Sequence, residues 1–192
     1  TSKPLADAEG PISGTEYMTH NNLRGSVWTF LFRKEILHDL RFPKGILHED
    51  EEFTPQLMLR AENLYFTNNK AYYYRKREGS IMHKRDKRWH IRRLADAEQV
   101  LYRLKERVDY LPVKERIAME RRIAQLTMDH IYNVIRLTHN ETHLNHVLQR
   151  LSRHGLFPLP DKDYTSKYKW FRRMTNSSFG RKTLIMLLRL KG

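Results

Sequence analysis

The stretch Phe42–Phe53, FPKGILHEDEEF, contains four consecutive carboxylates, Glu49 to Glu52, and decides how the first part of the chain is interpreted. A turn is predicted at its start, because a proline and a glycine stand two residues apart there. A helix is predicted to follow from Asp50 to Glu62, since apolar residues recur at every fourth position. Acidic side chains in the first turn of a helix are favoured by the helix dipole. The stretch therefore predicts a turn followed by a helix with an acidic start.

Short helices and strands are predicted on either side of this stretch. A short helix capped by a Ser or Thr is expected between Ser13 and Leu23. The run SVWTFLF, residues 26–32, is aromatic and β-branched and predicts a buried strand, and the octet RKEILHDL after it predicts another short helix. Two further strands are predicted at residues 64–69 and 71–77, joined by an Asn-Asn-Lys turn.

The pattern changes to helical periodicity beyond the second of these strands. Apolar residues spaced three and four apart form one stripe from Ile91 to Leu111 and another from Ile117 to Ile135. A third helix is predicted around Leu144–Leu151, and a last one in the C-terminal tail. The predicted fold is thus a mixed α/β unit over residues 1–85, followed by an all-α helical extension over residues 86–192.

Composition limits the class of protein. The 192 residues are 40% hydrophobic and 30% charged, which argues against disorder throughout the chain. Without cysteine, neither a disulfide framework nor a thiolate metal site is possible. The formal net charge of +14 is uneven, at −3 over residues 1–66 and +17 over residues 67–192. This asymmetry indicates an anionic partner for the second part: nucleic acid, a phosphate-bearing small molecule or an acidic lipid surface.

The acidic cluster has two interpretations. A carboxylate held at a helix start beside a tight turn can be aimed into a cleft, as a general base requires, and neighbouring carboxylates raise its pKa toward neutrality. Alternatively, the four acids form a solvated first turn that matches the helix dipole. A calcium loop is not indicated, because the Asp-x-Asp-x-Asp-Gly spacing is absent.

The basic segment after residue 74 is a candidate phosphate site. Arg75 and Arg77 carry guanidinium groups that match phosphate oxygens, and Ser80 lies in a Gly-Ser turn that adds backbone donors. His83 is a candidate ligand for a metal ion bound to that phosphate. Residues 75–93 contain nine Lys/Arg and two Asp/Glu, so the alternative is a solvated basic edge strand and helix start.

The C-terminal tail combines basic charge with aromatic residues. Residues 162–191 contain nine Lys/Arg and one Asp, interleaved with tyrosine, tryptophan and phenylalanine and followed by a short apolar run. Such a segment suits a helix lying on an anionic leaflet or a surface for single-stranded nucleic acid. An amphipathic helix that packs on the rest of the bundle is the third interpretation.

Trp28 has two interpretations of its own. Aromatic faces pack on the C–H groups of pyranose rings, so Trp28 is a candidate wall of a sugar-binding site. It is equally compatible with a core tryptophan in the strand predicted at residues 26–32.

The order of these features resembles the C-terminal half of family-2 glycosyltransferases with the GT-A fold. The likeness covers about residues 10–85 and is strongest to bacterial enzymes of capsule, exopolysaccharide and lipopolysaccharide assembly. The motifs that carry it are Gly14-x-Glu16-Tyr17, Val27-Trp28-x-x-x-Phe32-Arg33, Leu40-Arg41-Phe42-Pro43-x-Gly45, His48-Glu49-Asp50-Glu51-x-Phe53, Tyr72-Tyr73-Tyr74-Arg75 and Arg77-x-x-Ser80-Ile81. The resemblance implies a GT-A-like mixed sheet with flanking helices in residues 1–85.

The resemblance also implies roles for individual residues. Asp50 matches the base that deprotonates the acceptor hydroxyl in an inverting transfer from a nucleotide-diphosphate sugar, and Glu49 would orient this base or bind the acceptor. Trp28 and His48 would lie on the acceptor side. The residues that would contact the donor phosphates are Arg75, Arg77 and Ser80, with His83 toward the metal.

The chain departs from the family pattern in two places. Thr29 stands where the family often has asparagine after the tryptophan. The Asp-x-Asp that holds Mg²⁺ or Mn²⁺ in the family is absent before Trp28, and the Asp161-Lys162-Asp163 triplet lies in a Pro-rich loop near the other end. The expectation is therefore an acceptor-side fragment that is inactive alone, whose full-length enzyme requires a divalent cation.

The expected partners and location follow from this resemblance and from the charge. They are a nucleotide sugar, a glycan or lipid-linked acceptor, and an anionic membrane surface contacted by the basic extension. The expected location is the cytoplasm, at the periphery of the inner membrane. The alternatives are a basic nucleic-acid-binding module and a helical adaptor, although no recognition-helix or RNA-binding signature is present and no specific nucleic acid is expected.

Overall fold

A computed structural model describes residues 11–70, 72–75 and 86–190, and all regular elements in these ranges are helical. Two short 3₁₀ turns, Val27–Thr29 and Lys34–Leu37, lie between the first two α-helices. The α-helices are α1 (Gly14–His20), α2 (Glu49–Leu59), α3 (Lys87–Val108), α4 (Val113–Thr138), α5 (Glu141–Arg153), α6 (Ser166–Asn176) and α7 (Ser178–Leu190).

The predicted α/β fold class, with its GT-A-like mixed sheet, is wrong for the residues that the structure describes. Residues 26–32 form a 3₁₀ turn and an irregular segment instead of a strand, and residues 64–69 and 72–75 are also irregular. The one β-type pairing in the described ranges is an isolated antiparallel bridge between Ile12 and Leu64. A strand needs a neighbouring strand to bond its backbone groups, and these aromatic segments find none among the described residues.

The helices predicted from periodicity are confirmed. α3 and α4 are joined by a four-residue connection and contact each other extensively, and α4 also contacts α1, α2, α5, α6 and α7. The apolar stripes of these helices meet in one core, whose fully buried members include Leu104, Val108, Ile131, Ile135 and Leu144. α4 is therefore the central helix of the molecule.

Two buried arginines of α4 attach the first part of the chain to this core. Arg121 donates to the carbonyl oxygens of Asn21 at 2.6 Å and Met18 at 3.3 Å, and Arg122 donates to the carbonyl oxygen of Leu23. At Gly14, an added Cβ would lie 2.0 Å from the carbonyl oxygen at the end of α2, so only glycine permits this approach. One core cluster consequently contains residues from both sides of position 85, while the division into units 1–85 and 86–192 stays a prediction.

Candidate functional site

The four carboxylates of the acidic cluster point in different directions. α2 begins after His48, whose backbone is left-handed with φ of 66°, and successive helical residues then rotate by about 100°. Glu51 forms an ion pair with the buried Arg122. Glu52 is buried and lies 3.5 Å from Arg103 and 3.7 Å from Arg107 of α3. The second half of the cluster is therefore structural.

The first half of the cluster faces a cavity. Glu49 and Asp50 lie on the wall of a space of about 630 Å³ between α2, α3 and α4. The polar or aromatic side chains that share this wall are Ser26, His48, Glu51, Trp89, Arg93, Asp129, His130, Tyr132 and Asn133. The helix start predicted from the sequence thus places Glu49, Asp50 and Glu51 at a concave surface. Glu51 is also paired with Arg122, and Glu52 faces α3 outside the cavity wall.

The pKa of the Asp50 carboxyl is shifted by its position in this cavity. Burial, together with the neighbouring charges of Glu51 and Glu49, raises the pKa of Asp50 to about 6. A carboxylate with this pKa is largely ionised at neutral pH and binds a proton more strongly than an ordinary aspartate. This is the property that a general base near neutral pH requires.

His48 is held as a neutral acceptor on the same wall. Arg93 of α3 donates from Nε to Nε2 of His48 at 3.2 Å, so the imidazole proton resides on Nδ1. Burial, together with the Arg93 charge, lowers the pKa of His48 to about 4. The loop before α2 is anchored to α3 as well, since Asp96 accepts from the backbone N–H of Leu47 at 2.9 Å.

The sequence interpretation missed the contribution of α3 and α4 to this cavity. Trp89 and Arg93 of α3 and Asp129, His130 and Asn133 of α4 line it, although all five belong to the segment interpreted as an extension. Burial raises the pKa of Asp129, whose carboxylate accepts a hydrogen bond from Tyr168 at 2.8 Å. The sequence does contain one signal for this part of the cavity, because the polar residues Asp129, His130 and Asn133 interrupt the apolar face of α4.

Trp28 lies in a different place. Its ring packs between those of Tyr72 and Tyr74, with centroids 5.3 and 5.0 Å away, and 44% of Trp28 is exposed. The residue is not part of the cavity wall that contains Asp50, nor is it a core residue. Arg75 follows this aromatic group and is exposed.

The remaining candidates for the donor side cannot be placed. Arg77, Ser80 and His83 lie outside the described residues. Their predicted roles toward phosphate and metal stay predictions.

A divalent cation has no built site in the part of the chain that is described. No group of three His, Asp or Glu side chains there is close enough together to hold a metal ion. In the Asp161-Lys162-Asp163 triplet, Asp161 pairs with Arg172 at 3.2 Å and Asp163 with Lys169 at 3.4 Å. The described residues therefore do not fit the Mg²⁺ or Mn²⁺ site that the resemblance implies.

Comparison with known proteins gives one relationship. The chain is similar to Glycosyltransferase GlyA of Streptococcus pneumoniae serotype 4 (strain ATCC BAA-334 / TIGR4), with 27% identity over 103 residues. The match covers 54% of this chain and 14% of GlyA, so the chain spans a small part of that relative's length. No protein-family profile matches the chain, and no solved structure does. The comparison therefore supports a distant relationship to a glycosyltransferase and does not identify a donor or an acceptor.

Proposed function

We propose that this chain is the acceptor-side part of an inverting glycosyltransferase of the family-2 type, and that Asp50 is its general base. The observation that carries the proposal is the position of Asp50 on the cavity wall, with a pKa raised to about 6. The similarity to a glycosyltransferase over about half of the chain supports the reaction class. The motifs around residues 10–85 support bacterial cell-surface polysaccharide synthesis as the setting.

The proposed step is a single displacement. The acceptor hydroxyl loses its proton to a carboxylate oxygen of Asp50 while its oxygen forms a bond to the anomeric carbon of the donor sugar. The bond from that carbon to the diphosphate oxygen breaks, and the electron pair leaves with the nucleoside diphosphate. Because the nucleophile enters opposite the leaving group, the anomeric configuration inverts.

The other side chains of the cavity would bind and orient the acceptor. Glu49 is exposed at the mouth and is positioned to accept hydrogen bonds from acceptor hydroxyls. His48 is kept neutral by burial and by Arg93, so it adds no positive charge that would lower the pKa of Asp50. Trp89 offers an aromatic wall for a sugar ring. Together they would place a hydroxyl beside Asp50 and exclude part of the surrounding water.

Donor binding is assigned to residues outside this cavity. Arg75, Arg77 and Ser80 are proposed to contact the diphosphate, because guanidinium groups and a Gly-Ser turn match phosphate oxygens. The divalent cation, which would stabilise the departing diphosphate when bound, is proposed to be held by residues other than those described.

The test is the variant Asp50→Asn in the full-length protein that carries this chain. Asparagine keeps the shape of the side chain but cannot take the proton, so acceptor-dependent release of nucleoside diphosphate should fall by about 10²–10⁴-fold with little change in KM for the acceptor. The wild-type rate should rise with pH through about 6 and then level off, because only ionised Asp50 acts as a base.

A matched variant controls for the loss of one negative charge. Asp109→Asn makes the same chemical change at an exposed position after α3 and should leave the rate unchanged. Transfer by Asp50→Asn at the wild-type rate, with the same pH profile, would refute the assignment of the base.

A further inference from the structure

The last helix, α7, has two apolar faces, and only one is covered. Gly180 and Leu184 are buried against the bundle, with Leu188 partly buried beside them. On the other face, Phe179 is 79% exposed and Leu190 78% exposed. An ordinary surface helix presents one apolar stripe to the core and polar residues to solvent. The second apolar face of α7 is therefore a feature that packing among the described residues does not explain.

The three most exposed apolar residues of α7 form a single line. Phe179, Met186 and Leu190 are separated by seven and four positions, so that at about 100° per residue they fall within an arc of about 40°. Met186 is 59% exposed, which places the middle of the line in solvent as well. Lys182 and Arg189 flank the line on one side. We call Phe179, Met186 and Leu190 the apolar line.

The neighbouring helix α6 extends the same chemistry. Trp170 has half of its surface in solvent and stands between the exposed Lys167 and Arg173, one turn before and after it. α6 and α7 together contain seven Lys/Arg and no Asp or Glu. Cationic, aromatic and aliphatic side chains are thus combined on one pair of helices.

The two helices are packed closely against each other. At Gly180, an added Cβ would lie 2.2 Å from the carbonyl oxygen of Met174, so glycine allows the start of α7 to approach the end of α6. Arg181 also donates to the carbonyl oxygen of Thr175 at 2.9 Å. The surface is therefore formed before any partner binds.

We infer that the α6–α7 pair docks on an anionic lipid bilayer, with the apolar line inserted at the boundary between headgroups and acyl chains. Long aliphatic and aromatic side chains flanked by Lys and Arg are the combination that interfacial helices use. Within the described part of the chain, no helix has the length and apolarity needed to cross a bilayer. Insertion of one line of side chains along α7 places this helix parallel to the membrane surface.

Charge favours a bilayer over a second copy of the chain. Lys169, Arg172 and Lys182 pair with acids of neighbouring segments, whereas Lys167, Arg173 and Arg189 pair with no described acid. A two-fold dimer through this surface would bring these three positive charges close to their own copies. An anionic leaflet instead attracts the side chains of Lys167, Arg173 and Arg189. The apolar line would remain unused on a nucleic acid backbone, which offers phosphates but no hydrocarbon layer.

The experiment measures vesicle flotation of the chain with neutral phosphatidylcholine and with vesicles containing about 30% phosphatidylserine. We expect binding to the anionic vesicles that weakens with added salt. The triple variant F179Q/M186Q/L190Q should lower the partition coefficient at least about tenfold, because three apolar side chains no longer insert. Glutamine is a good helix former, and circular dichroism checks that the helix content is kept.

A second variant separates charge from apolar insertion. Lys167, Arg173 and Arg189 make no ion pair with another described residue, and K167Q/R173Q/R189Q should lower binding about fivefold per charge removed. The control Y110Q/V113Q/I117Q removes three other exposed apolar side chains and should bind like the wild type.

Three results would overturn the inference. They are equal binding to neutral and anionic vesicles, equal binding by F179Q/M186Q/L190Q and the wild type, and a wild-type dimer in sedimentation that this variant abolishes while vesicle binding persists. None of these variants touches the cavity around Asp50. Failure here would therefore leave the proposed catalytic role standing, and failure of Asp50→Asn would leave the membrane inference standing.

Discussion

The two parts of the described chain treat their apolar residues differently. In residues 86–190, the stripes of α3, α4 and α5 are buried over most of their length, as Leu104 and Ile131 illustrate, although Ile91 and Ile117 at the starts of two stripes are exposed. In residues 11–75, several large apolar side chains remain in solvent, including Trp28, Leu31 and Tyr73. The core of the helical part also includes Met18, Leu23 and Met58, and the first part is held mainly by its contacts to α3 and α4.

This difference reflects where each kind of element finds its hydrogen bonds. A helix bonds its own backbone groups, so an amphipathic segment needs only an apolar surface to pack on. A strand needs another strand beside it. Residues 26–32 have the composition of a strand but no partner in the described chain, and the first part of the molecule therefore depends on side-chain links to the helical part.

The largest effect is expected where the two parts are joined. Arg122→Ala removes the buried partner of Glu51 and the donor to the carbonyl oxygen of Leu23, so both acceptors lose a charged hydrogen bond. We expect a loss of about 3–5 kcal/mol in the free energy of unfolding, measured by urea denaturation. Hydrogen exchange should show the loss first in α1 and α2.

The control for this prediction is Lys114→Ala, an exposed change on the same helix that should alter stability by less than about 0.5 kcal/mol. A loss of less than about 1 kcal/mol for Arg122→Ala would show that the first part does not depend on this link.

The second prediction applies the same truncation to both parts. Leu104→Ala should cost about 2–5 kcal/mol, because Leu104 is completely buried in the core of α3 and α4. Leu31→Ala should cost less than about 0.5 kcal/mol, since Leu31 is 90% exposed. Thermal and urea unfolding of both variants measure this contrast. Equal losses would mean that Leu31 is covered in solution, which would contradict the comparison.

The third prediction concerns a charged group inside the helical part. Arg150 bonds Glu98 through two nitrogen atoms, at 2.7 and 2.9 Å. Burial acts to raise the pKa of Glu98, but the hydrogen bonds from Arg150 and Tyr102, with His130 nearby, outweigh it and hold the pKa well below its usual value. A depressed carboxyl pKa contributes stability above the unfolded value, and that contribution disappears as the pH falls.

Arg150→Ala should therefore cost about 1–2 kcal/mol near pH 7, after allowance for the partial exposure of Arg150, and progressively less as the pH falls below about 4 toward the depressed pKa of Glu98. Urea denaturation at the two pH values measures the difference. Arg153→Ala, one turn further along α5 at an exposed position, is the control without this pH dependence. A cost for Arg150→Ala that is independent of pH would contradict the assignment to Glu98.

The sequence was informative where structure is determined locally. The start of α2 was predicted at Asp50 and lies at Glu49, and the stripes of α3, α4 and α5 were predicted from spacing alone. The strands were not correctly predicted, because composition does not reveal whether a pairing partner is present. Of the residues that line the cavity, the sequence analysis named His48, Glu49 and Asp50. It did not name Trp89, Arg93 and Asp129, because they belong to helices whose packing against α2 is not encoded in any local pattern.

The most direct test of the central claim is the titration of the Asp50 carboxyl carbon by NMR, with Asp50→Asn used to assign the signal. The cavity buries this carboxyl beside Glu49 and Glu51, so the midpoint is predicted at about 6. A midpoint near 4, the usual value for an exposed aspartate, would show that the side chain is solvated and would contradict its role as the base.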